Sequence, residues 1–166
     1  PIDFVRAQTP AGEALAIYSS VRALSAHRPG ARPMALDFRT IGLTALVETG
    51  GRVVVNPGTD AVLLPRPAVA ALAQGDEWLP AWRDGSLREL LLAEAAAACP
   101  AIVDLEIVYA GDGLTRVVVS VDRERFAQGA DASAMKETLS GALNALGANP
   151  RLIASADRVE IAPVLR

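Results

Sequence analysis

An α+β fold built from two small sheet-and-helix halves is predicted by this sequence, on three observations. Short β-branched or alternating runs, such as Val53-Val54-Val55 and Val103 to Tyr109, have the two-residue period of strands. Longer runs, such as Leu87 to Ala98 and Met135 to Leu146, repeat apolar residues at helical spacing. Between Gly75 and Gly85 the chain changes character, with two glycines, a proline, four charges and both tryptophans. That stretch separates residues 1–75 from residues 86–166, with a hinge at 76–85.

In chain order, Ile2 to Val5 alternates as a short strand ended by Thr9-Pro10, and Ala11-Gly12-Glu13 turns into Ala14 to Tyr18, giving a hairpin. Ser19-Ser20 supplies an N-cap hydroxyl for a short helix with Val21 and Leu24 on its apolar side, stopped by Pro29-Gly30. Met34-Ala35-Leu36 is a strand candidate. Asp37 caps a second helix through Ile41 and Ala45, which Gly50-Gly51 ends because glycine takes the left-handed cap conformation cheaply. Arg52 to Val55 is the clearest strand of the first half. Asn56-Pro57-Gly58 turns the chain into extended Ala61 to Leu64, and a helix from Pro67 to Gln74 follows.

The second half reads αββαβ. Ser86 caps a helix through Leu87, Leu90, Leu91 and Ala98, ended by Pro100. Val103, Leu105, Ile107 and Tyr109 point one way along a half-buried strand, and Gly111-Asp112-Gly113 turns it into Thr115 to Val121. A loop through Gly129 precedes a helix that starts at Asp131 or Ser133 and ends at Gly147. Arg151 to Ala154 is read as the last main strand. Val159-Glu160-Ile161 then either adds a short edge strand or lies along the first half.

Composition excludes several functions. Half of the 166 residues are apolar, enough for a real core, and the net charge is −3. Basic residues are scattered singly and almost all are Arg, with Lys136 the one Lys, so no concentrated basic face for nucleic acid is expected. One cysteine, Cys99, within an apolar run, reads as a small buried hydrophobe, and one histidine, His27, cannot build a multi-histidine zinc site. No run approaches the roughly 18 apolar residues of a membrane span. A cytoplasmic protein without metal or cofactor is the expectation.

The same logic argues against catalysis. His27 is the one available imidazole base, and its place at the end of a short helix beside Arg28-Pro29-Gly30 reads as an ordinary surface position. Asp104 and Glu106 share the polar side of their strand, so a solvated edge accounts for them. Gly50-Gly51, Asn56-Pro57-Gly58 and Gly111-Asp112-Gly113 do not join a strand to a helix as a phosphate loop does; turn chemistry explains them. Asn56 stands apart. An Asn before Pro is pushed towards an extended backbone, and its amide can either tie a neighbouring loop or meet a ligand.

Residues 14–74 carry a family resemblance: Ile17-Tyr18-Ser19-Ser20, a short helix, Val53-Val54-Val55-Asn56-Pro57-Gly58, Val62-Leu63-Leu64-Pro65 and the helix Pro67 to Gln74 follow in order. This stretch resembles the amino-terminal domain of the SseB (enhanced serine sensitivity) family. Residues 86–165 look, more loosely, like the carboxy-terminal domain that often follows it, apart from Arg123 to Asp131. The resemblance implies a non-enzymatic role named for tolerance to serine and, among actinobacterial relatives, an association with type VII secretion gene neighbourhoods.

Asn56, Gly58, Trp78, Trp82 and Tyr109 are accordingly the candidate ligand- or partner-binding residues. Trp78 and Trp82, four apart, are expected on one side of a helical turn, packing one half onto the other or forming a stacking platform. The leading expectation is a protein-interaction or adaptor module whose sheet edges and hinge surface bind another protein or a second copy. The alternative is a small-molecule-binding regulatory domain with its pocket between the halves.

Overall fold

The computed structural model describes residues 4–127 and 132–166 and divides the chain into two units, Pro1–Trp78 and Leu79–Arg166. Each unit has its own sheet. The predicted strand residues Ile2 and Asp3 and the predicted helix start Asp131 lie outside the described residues.

In the first unit the strands are β1 (Arg6–Thr9), β2 (Gly12–Ile17), β3 (Val53–Val55) and β4 (Val62–Leu64), in the spatial order of the chain. Gly12 opens β2 at φ +110, and β1 and β2 form the expected hairpin, although its first strand begins later than the alternation suggested. β2 then runs parallel to β3, Ile17 opposite Val55, and β3 is antiparallel to β4. A parallel pair needs a crossover. Here it consists of α1 (Val21–His27) and α2 (Phe38–Glu48).

Ser20 caps α1 by accepting from the Ala23 amide at 3.1 Å, and Asp37 caps α2 by accepting from Thr40 at 2.9 Å. Within α1 Leu24 is buried, but Val21, expected beside it, is 60% exposed. Met34-Ala35-Leu36 forms no strand. β2 pairs directly with β3, so the crossover inserts no strand between them, and Met34 lies exposed.

α2 packs on α3 (Arg66–Gln74), where a Cβ on Gly42 would stand only 2.7 Å from that of Ala73. This close crossing lets Ala45 and Val69 join Leu15 and Val53 in one core, while Ala14, Ala16 and Val54 cluster with Tyr18 and Leu63.

The second unit starts with a 3₁₀ turn, Ala81–Arg83, followed by α4 (Gly85–Ala98), β5 (Ile102–Tyr109) and β6 (Leu114–Val121). The cap of α4 is Asp84, which accepts from the Leu87 amide at 3.0 Å; the predicted cap, Ser86, is inside the helix and donates to Asp84. β5 and β6 form the predicted hairpin. Its register slips between Ile102 and Asp104, and this bulge explains a wrong expectation: Val103 is turned out, 42% exposed, while Ile102, Leu105 and Ile107 are buried.

Where a loop was expected, Arg123–Ala127 forms a short helix, α5, whose entry Asp122 fixes by accepting from the amides of Glu124 and Arg125. The long helix α6 (Ala132–Gly147) follows. Arg151 to Ala154 is not a strand. It belongs to α7 (Pro150–Ser155), because Asn149 accepts from the Arg151 and Leu152 amides as N-cap and Pro150 takes the first helical position. The true last strand is β7 (Arg158–Leu165), so Val159-Glu160-Ile161 does form an edge strand, parallel to β6 in the order β5-β6-β7. The element order is thus richer in helix than αββαβ, and the α+β class holds. Leu87, Leu91, Leu105, Val117, Val119, Leu146 and Leu152 fill the core, and Cys99 is fully buried among them as expected.

Candidate functional site

Two groups of side chains draw the candidate residues together, one in each unit. The first lies where the parallel pair β2–β3 ends. Both strands point their carboxyl ends the same way, so the loops that leave them, Tyr18-Ser19-Ser20 and Asn56-Pro57-Gly58, become neighbours. Such ends are where open α/β sheets commonly receive ligands.

Here the polar groups satisfy one another. Asn56 Oδ1 accepts from the Ser19 amide at 2.9 Å and stands 3.2 Å from Ser19 Oγ, and Asn56 Nδ2 donates to Ser19 Oγ at 2.9 Å. The Asn56 amide donates to the Ile17 carbonyl at 2.9 Å. Asn56 is a staple between two loops. Its backbone is left-handed at φ +51, not extended as the following proline suggested; Asn is one of the few residues that tolerates this region.

Beside the staple, Tyr18 Oη and His27 Nδ1 are hydrogen-bonded at 2.8 Å, their rings 6.0 Å apart. Either tautomer of the imidazole makes this bond, because a phenol both donates and accepts. Burial pushes the Tyr18 phenol above its ordinary pKa, against the opposing pull of the Arg28 guanidinium, so it keeps its proton at neutral pH. Gly58 closes the other side of the imidazole. At φ +91, a Cβ there would lie 2.6 Å from His27 Cδ2. His27 is therefore more than a helix-end surface residue.

The second group is in the second unit. The rings of Trp82 and Tyr109 are 4.8 Å apart and tilted by 38°. Trp82 also packs against that unit's core, whereas Tyr109 is half exposed, its hydroxyl accepting from the Gly113 amide at 3.3 Å. Next to the pair is a groove of about 260 Å³, lined by Trp82, Arg83, Asp84, Arg88, Glu106 and Ile107 among others.

Two of its charges are balanced nearby. Arg88 pairs with Asp104 at 2.7 Å, and Arg151 reaches Asp84 at 3.0 Å. The Leu87 amide, then the Ser86 hydroxyl and Arg151, hold the Asp84 carboxyl below its ordinary range, with partial burial opposing them. Arg83 and Glu106, both exposed, make no ion pair among the described residues.

The sequence-predicted residues are thus divided. Asn56 and Gly58 share one turn of the first unit, and Trp82 and Tyr109 form one pair in the second. Trp78 ends the first unit in a stretch without regular structure. The two tryptophans do not share a helical turn, since Pro80 stands between them and opens the 3₁₀ turn that holds Trp82. Sequence reasoning missed Arg83 as a groove residue, Ser19 as the partner of Asn56, and Tyr18 as the partner of His27. The signal for Ser19 was the pairing of two strand ends, which becomes visible only once β2 and β3 are seen to be parallel.

Residues 2–71 match the family model described as the SseB protein N-terminal domain. The chain carries an SseB domain. The match spans the first unit's strands and both loops of the Ser19–Asn56 staple, so Tyr18, His27, Asn56 and Gly58 all belong to the SseB domain. The groove and the Trp82–Tyr109 pair lie beyond it. Comparison with curated proteins and with solved structures gives no match. Among the described residues no helix is long and apolar enough to cross a membrane, and no three of His, Cys, Asp and Glu stand together as metal ligands would.

Proposed function

We propose that this protein is a non-catalytic adaptor whose second unit binds another protein through the groove beside Trp82 and Tyr109. The observation that carries the proposal is the composition of that surface. Trp, Tyr and Arg are the residues in which binding energy concentrates at protein interfaces, and here Trp82, Tyr109, Arg83 and Arg88 adjoin one groove. The groove is smaller than the 300 to 1,000 Å³ or so of typical small-molecule pockets. It suits a side chain or two of a larger partner better than an enclosed metabolite.

The non-catalytic reading is supported by how the two most chemically able side chains are engaged. His27 is held by Tyr18 and covered by Gly58, and Cys99 is wholly buried in an apolar core. In this proposal the second unit, which follows the SseB domain in the chain, carries the binding surface, and we read it as the looser SseB-like carboxy-terminal domain. Tolerance to serine and type VII secretion are the settings that the family resemblance suggests for such an adaptor.

The test uses the full chain and an Arg83→Glu variant as matched baits. Proteins retained by the native bait and lost with the variant support the adaptor. A free amino acid or nucleotide that raises the melting temperature of the native chain, and not of the variant, would show a small-molecule site instead.

A further inference from the structure

We infer that Pro163 guards the outer edge of β7, keeping that strand from pairing with β7 of a second copy of this chain. The hydrogen-bond register sets which groups face out. The Arg166 amide donates to the Val121 carbonyl, and the Arg166 carbonyl accepts from the Arg123 amide, both at 2.9 Å. In a parallel ladder alternate residues of one strand bond to the same neighbour. Even-numbered residues of β7 therefore bond to β6. The amides and carbonyls of Val159, Ile161 and Leu165 point away from the sheet, and position 163 belongs to this outward row.

Proline at 163 costs the sheet no internal hydrogen bond, because an amide there would face outward. It does leave a gap in the row of donors that an added strand would need. β7 would otherwise be a hazard: it is eight residues long, lies at the edge, and ends in Val164 and Leu165, 40% and 52% exposed. A β7 edge meeting its own copy across a two-fold axis is the self-complementary arrangement that homodimers favour.

The unit's other edge is managed differently. On β5, Leu105 belongs to the outward row, and its amide is taken at 2.8 Å by the carboxylate of Asp104, which Arg88 holds in place. The 3₁₀ turn Ala81–Arg83 packs along the same strand. On β7 it is the proline at 163 that interrupts the row.

The test compares the full chain with Pro163→Val, which restores an amide and adds β-propensity, and with Pro163→Ala, which restores the amide with little new bulk. Circular dichroism establishes that each is folded. Sedimentation across a concentration series, with amide exchange at Val159, Ile161 and Leu165, supplies the readout. The expected result is a concentration-dependent doubling of mass for the Val variant, weaker for Ala. The three outward amides should become protected in that dimer and exchange freely in the native chain. Two results would overturn the inference: folded variants of unchanged mass whose outward amides still exchange freely, or a native chain in which those amides are already protected by self-association.

Discussion

The loop ends of the first unit and the groove of the second make an instructive contrast. Both gather polar and aromatic side chains, yet in the first nearly every hydrogen-bonding group faces another: Asn56 faces Ser19, and Tyr18 faces His27. In the second, Arg88 and Asp84 are balanced, while Arg83 and Glu106 are exposed without an ion pair among the described residues and Tyr109 is half exposed. A cluster that satisfies itself stabilises its loops. One that leaves charge and aromatic surface in solvent is suited to receive something else.

The largest expected effect breaks the first region. Gly58→Ala forces a Cβ into the His27 ring at a left-handed φ, and should destabilise the chain by about 2–4 kcal/mol in chemical denaturation. Gly111→Ala has a similar φ, +88, but nothing within 4 Å, so its cost should be about 1 kcal/mol. Equal costs for the two would mean that the contact with His27 contributes nothing.

Asn56→Gly keeps the left-handed backbone and removes the staple. A loss of about 1–2 kcal/mol is expected, with partner capture by the second unit unchanged.

Asp84→Ala removes the cap of α4 and should cost about 1 kcal/mol at neutral pH. The folded carboxyl has a lowered pKa, so its contribution is full above the ordinary value of 3.8 and is lost as pH falls through the lower folded value. Denaturation curves of native and variant chains should therefore converge in acid. The smallest effect is that of Tyr109→Phe, under about 0.5 kcal/mol, since the hydroxyl of this half-exposed residue accepts one long bond from Gly113.

Much of this architecture was legible in local signals. Ser20 and Asp37 announced their helices because a cap is a property of three or four adjacent residues. Hairpins were likewise readable from glycine-bearing turns. What failed depended on non-local geometry or on a misread local cue. The bulge that turns Val103 outward is a property of the β5–β6 pairing, and no residue of β5 announces it. At Asn149-Pro150 the cap-and-proline pattern was present, but the apolar run after it was read by composition as a strand. Candidate residues were legible singly. Their grouping was not, because Ser19 and Asn56 are 37 residues apart and meet only through a parallel crossover.

The most direct test of the contrast places a photo-crosslinking residue at position 83 of the full chain and, separately, at position 19, in the cells that make the protein. The account predicts discrete protein adducts from position 83, lost on adding Trp82→Ala, and none from position 19. Adducts from position 19, with none from position 83, would contradict it.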